Sequence, residues 1–118
     1  MLRVERFKGI YLHRNIVDFR KSINGLAIIV EEDMKLDLFE PYLFLFCNKR
    51  RNMLKVLYWD ATGFALWHKR LEKDRFIWPR KFEEDVIQVN HQQLTWLLGG
   101  YNIWKMKPHK KMKYSRIS

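Results

Sequence analysis

At 118 residues, 47% of them hydrophobic and 15% aromatic, the chain is one domain's worth of sequence and too apolar for a disordered segment. A lone cysteine excludes an internal disulfide, and the longest apolar runs fall far short of a membrane span, so a reducing, cytoplasmic location is expected. The net charge of +10, from 23 Lys and Arg against 13 Asp and Glu, favours a polyanionic partner over a neutral small molecule or a membrane.

Taken in chain order, Gly9 to His13 has the aromatic and branched content of a first strand. From Ser22, apolar residues at Ile23, Leu26, Ala27, Val30 and Met34 form one face of a helix whose other side carries Glu31, Glu32 and Asp33. Either Asp18 or Ser22 can cap its start, and Gly25 within it suggests close packing on a sheet. Tyr42–Cys47 and Met53–Trp59 read as an antiparallel hairpin whose connection, Asn48 to Asn52, presents Lys49, Arg50 and Arg51. Cys47 lies inside an apolar run, where a buried, inert thiol is the expected state.

After the turn-like Asp60 to Gly63, Phe64 to Lys73 is ambiguous, and a helix with Phe64, Trp67, His68 and Leu71 inward is the favoured reading over a strand. Phe76 to Pro79 is expected to be extended because the residue before a proline avoids helical angles. Val86 to Val89 reads as a short strand. Asn90 then starts a last helix with Gln93 completing a capping box, and Gly99-Gly100 stops it. These elements predict a single α+β domain over residues 1–104, a small and mainly antiparallel sheet covered by two or three helices, followed by a basic tail over 105–118. Six of the ten net charges lie in that tail, at Lys105, Lys107, Lys110, Lys111, Lys113 and Arg116.

The chemistry-bearing residues form no evident catalytic set. The acids belong to polar faces, turns and caps, not to a two-metal centre for phosphoryl transfer. His13, His68, His91 and His109 lack the paired spacing of a zinc site, no phosphate-cradling loop is present, and no cofactor or small-molecule substrate is expected. Metal-independent RNA cleavage by His68 or His13, with Lys69, Arg70 or Arg50 stabilising the phosphate, is the one enzymatic alternative. Cations interleaved with aromatic residues are the better signal. Lys49, Arg50, Arg51, Lys69 and Arg70, with the tail, are candidate contacts to DNA phosphates. Trp59, Trp67 and Trp78 are candidates for an aromatic patch that holds a protein partner.

The run Asp18-Phe19-Arg20-Lys21-Ser22-Ile23-Asn24-Gly25-Leu26, then Leu43 to Phe46 with Asn48 to Arg51, then Leu54 to Asp60, closely resembles the TnpB accessory proteins encoded by the second reading frame of insertion-sequence 66 elements. Thr62-Gly63-Phe64, Trp67, Lys69 to Glu72, Phe76, Trp78-Pro79 and the Gln93 to Gly100 segment extend the likeness from about Gly9 to Tyr101. Ala61 and Asp74 depart from it, standing where glycine is common. The resemblance implies a role in transposing a bacterial mobile element beside a separate, larger transposase, and it brings no catalytic residues. It does not extend to the longer RNA-guided nucleases that share the TnpB name. The resulting expectation is a non-catalytic accessory protein that binds DNA at element ends or intermediates, with an adaptor for the transposase as the alternative.

Overall fold

The computed structural model describes residues 3–79 and 82–105. Five strands form one mixed sheet in the order β4-β3-β2-β1-β5: β1 (Gly9–His13), β2 (Tyr42–Cys47), β3 (Met53–Asp60), β4 (Gly63–Arg70) and β5 (Val86–Val89). Only β1 and β2 run parallel, because the chain between them crosses one face of the sheet as a helix, whereas the other neighbours are antiparallel. The fold is therefore α+β with a mostly antiparallel sheet, as expected.

That crossing helix, α1 (Ile23–Ile29), widens into a π-helical turn over Val30–Met34 and ends at Lys35 with a left-handed φ of 56°. Ser22 is its cap, the hydroxyl accepting from the Gly25 amide, while Asp18 accepts from the Arg20 amide in the preceding turn. Gly25 does not meet the sheet: a Cβ there would lie 3.2 Å from the Lys21 side chain. The close approach occurs instead at Gly9, where a Cβ would come within 2.7 Å of Tyr11 and 2.8 Å of Tyr42, so the first residue of β1 has to be glycine unless both rings move.

Alternation along the strands divides the core in two. Ile10, Leu12, Leu43, Leu45, Leu54 and Val56 face α2 (His91–Leu98), Phe76 and Trp78, whereas Phe44, Phe46 and Leu57 face Leu26, Val30 and Met34 of the α1 layer. β2 reads as a continuous apolar run because it is covered on both faces. Asn90 and Gln93 close the capping box of α2 reciprocally, at 2.7 and 2.8 Å. Ile103 is buried and Trp104 half-buried, so core contacts continue to the last described residues.

One element differs from expectation. Phe64 to Lys73 is not a helix: Gly63–Arg70 pairs residue by residue with Met53–Asp60. As an edge strand it has both faces partly covered, which puts apolar residues on each side and imitates helical spacing.

Candidate nucleic-acid interface

The connection between β2 and β3 is held rigidly. Asn48 bonds Met53 through both its backbone amide and its side-chain oxygen, its amide nitrogen donates to Asn52 Oδ1 at 2.8 Å, and Arg51 N donates to Asn48 O at 3.0 Å. Arg51 takes a left-handed φ of 59°, which turns the chain back into β3. The segment after β4 is tied to the same tip. Leu71 N donates to Asn52 O, Phe76 N to Arg51 O, and Arg75 Nε to Arg50 O at 2.9 Å.

Two grooves flank this tip. One is lined by Ile16, Val17, Asp18, Phe19 and Arg20 with Asn48, Lys49 and Arg50. The other brings Arg51, Arg75 and Lys105 around an apolar floor of Phe76, Ile77, Trp78, Pro79, Phe82 and Trp104. Cations from three separate stretches thus converge at one end of the sheet. Among the described residues, Lys49, Arg50, Arg51, Arg75 and Lys105 have no carboxylate partner, in contrast to Arg6, Lys8, Arg14, Arg20 and Arg70.

Among the described residues, the other proposed phosphate contacts do not line these grooves. Lys69 is turned inward, its ammonium donating to Leu98 O at 2.9 Å at the C-terminus of α2. Arg70 is exposed on the α1 side of the sheet and bonded to Glu72 at 3.2 Å. Lys107, Lys110, Lys111 and Lys113 are outside the described residues.

The three tryptophans do not make one patch. Trp78 is buried, with Nε1 donating to His13 O at 3.1 Å, and Trp67 packs on the same core. Trp59 points to the opposite face, because β3 and β4 alternate. There it joins Phe64 at 5.0 Å between ring centroids and Phe39, also at 5.0 Å. Phe39 is 59% exposed, so this trio is an aromatic surface that the sequence did not reveal. Phe39 lies in a loop remote in sequence from Trp59, and no periodicity marks it.

No catalytic constellation is assembled from the candidate residues. His13 is buried, with Nδ1 2.9 Å from Asn15 O, and its strand β1 is three strand spacings from that of His68, about 14 Å. Burial pushes the Cys47 thiol up to about 12, so it is protonated and inert. Among the described residues no group of three His, Cys, Asp or Glu side chains can hold a metal ion, and no helix is long and apolar enough to cross a membrane.

Comparison with known proteins identifies the family. The model of the family described as "IS66 Orf2 like protein" matches residues 8–108. The chain belongs to the IS66 Orf2-like family. Two relatives come from Sinorhizobium fredii (strain NBRC 101917 / NGR234). The uncharacterized protein y4hO is 36% identical over 88 residues, 75% of each chain, and the uncharacterized protein y4jC is 33% identical over 91 residues, 77% of each chain. No solved structure matches. An IS66 Orf2-like protein has an accessory place in transposition, and the matched span contains every strand and helix described above.

Proposed function

We propose that this IS66 Orf2-like protein assists transposition by binding DNA, leaving bond breakage and joining to a separate transposase. The observation that carries this reading is the convergence of Lys49, Arg50, Arg51, Arg75 and Lys105 on two grooves, without carboxylate partners among the described residues. Lys49, Arg50 and Arg51 hang from a turn fixed by Asn48, so little conformational freedom of that backbone is lost on binding. The sequence beyond Lys105 carries further cations, Lys107, Lys110, Lys111, Lys113 and Arg116.

Binding of this kind is driven by counterion release. Five phosphate contacts on duplex DNA give a slope of roughly −4.5 in log affinity against log salt, and tail contacts steepen it. Titrating element-end duplexes, branched intermediates and unrelated duplexes at several salt concentrations tests the reading. Tight binding without salt dependence, or no binding at low salt, contradicts it.

The aromatic trio of Phe39, Trp59 and Phe64 supports a second reading, an adaptor that holds the transposase. Exposed aromatic anchors are typical of protein interfaces. Co-purification of the transposase that survives nuclease treatment and is lost in Phe39→Ser supports it. Absence of association at micromolar concentrations counts against it.

A further inference from the structure

The outer edge of β4 is an unusually open template. Leu71 N donates to Asn52 O, which makes Asn52 and Leu71 a hydrogen-bonded pair and fixes the alternation along the ladder. Odd-numbered residues of β4 therefore direct their amides and carbonyls toward β3. Phe64, Leu66, His68 and Arg70 direct theirs outward, and among the described residues these groups have no partner. The strand is eight residues long, unbroken in register, and contains neither proline nor a bulge. Natural edges are usually shortened, bulged or guarded by lysine. The lysine present here, Lys69, is drawn back to Leu98 O, while the opposite edge strand, β5, has only four residues.

We infer that β4 pairs antiparallel with β4 of a second copy of this chain, joining two sheets across a twofold axis at Trp67. A second copy is favoured over another strand because it brings an open edge of the same length whose cations, read in reverse, lie opposite no like charge. The first half, Phe64-Ala65-Leu66, is apolar and the second, His68-Lys69-Arg70, is cationic, so antiparallel pairing sets each cationic half against the partner's apolar half.

The outward-directed groups fix which residues bond. Phe64 faces Arg70 of the second copy and Leu66 faces its His68 as hydrogen-bonded pairs, eight bonds in all, with arginine over an aromatic ring. Trp67 then faces its own copy as a non-hydrogen-bonded pair. There the Cα atoms come closest and aromatic cross-strand pairs contribute most. A twofold contact of this type consumes both β4 edges and closes.

Leu66 provides the test. Its amide points outward, so Leu66→Pro removes two of the eight bonds between copies, one from each chain, and none within the β3–β4 ladder. The full chain should sediment at twice its 14.6 kDa mass, with dissociation on dilution. Leu66→Pro should run as a monomer with unchanged far-ultraviolet dichroism, and Trp67→Ala should dimerise at least tenfold more weakly. If the proline variant does not fold, Leu66→Lys serves the same purpose, placing a charge at the seam of the pair. A wild-type chain that stays monomeric up to about 100 μM overturns the inference, since even weak interfaces are populated there. So does a dimer that survives in both folded Leu66 variants, because it must then use another surface.

Discussion

The Lys69 ammonium lies 2.9 Å from the carbonyl oxygen of Leu98, so a cation in the basic run His68-Lys69-Arg70 closes the C-terminal end of α2 across the sheet. A positive group there satisfies a carbonyl without an intrahelical partner and complements the helix dipole. Lys69→Met, which keeps the apolar stem, should cost about 1 to 2 kcal/mol in denaturant unfolding. It should leave the salt slope of DNA binding unchanged. A slope that falls as far as in a Lys49 variant would place Lys69 among the phosphate contacts instead.

Ala61 has a φ of 55° at the first of the two residues joining β3 to β4. Both primed hairpin turns need positive φ at that position, where glycine is the usual occupant. An alanine held there costs about 1 to 2 kcal/mol, partly offset by the greater freedom of glycine in the unfolded chain. Ala61→Gly is expected to stabilise the protein by about 0.5 to 1 kcal/mol in thermal or urea unfolding. Destabilisation would show that the turn relaxes to accommodate alanine. Asp74, the other departure from the family pattern, has no positive φ, so it carries no such strain.

Elements with local signals are legible in the sequence, and those decided by contacts remote along the chain are not. β1, β2, β5 and the capped α2 were legible because their signals are local: a bounded apolar run, or Asn90 three residues before Gln93. β4 was not, because at an edge with both faces half-covered Phe64, Trp67 and Leu71 satisfy helical spacing while the deciding contact is Trp59 opposite Phe64. The same limit governs the site. Lys49 to Arg51 could be placed on a hairpin tip from sequence. That Arg75 and Lys105 join them, that Lys69 turns away and that Trp78 is buried all depend on pairings between segments remote along the chain.

Cys47 is fully buried, and desolvation of the thiolate outweighs the nearby charge of Arg51 in raising its thiol to about 12. At pH 8 roughly one molecule in ten thousand carries the reactive thiolate. A thiol reagent should leave the native protein unmodified over hours and label it fully in denaturant. Rapid native labelling would show that the β2 end of the core opens readily.

Asp18 is held down to about 2, first by hydrogen bonds from the Arg20 guanidinium, at 2.6 to 3.1 Å, and then by the Arg20 amide. A depressed carboxyl contributes stability that is complete above its unfolded value of about 3.9 and is lost as pH falls toward 2. Carboxyl NMR titration should find Asp18 still ionised at pH 3, and in Arg20→Ala should find it moved up toward the ordinary range. An Asp18 that titrates near 4 in the wild-type chain would mean that the contact does not persist in solution.

DNA affinity as a function of salt, compared between the wild-type chain and a Lys49→Ala, Arg50→Ala, Arg75→Ala triple variant, tests the central claim most directly. All three side chains are exposed and, among the described residues, without carboxylate partners, and the one hydrogen bond lost with them is that from Arg75 Nε to Arg50 O, so the variant should fold and melt no more than a few degrees below the wild type. If they contact phosphates, the slope should become less negative by roughly 2.7 and low-salt affinity should fall. An unchanged slope and affinity in a folded variant would contradict the assignment of the hairpin-tip grooves as the DNA interface.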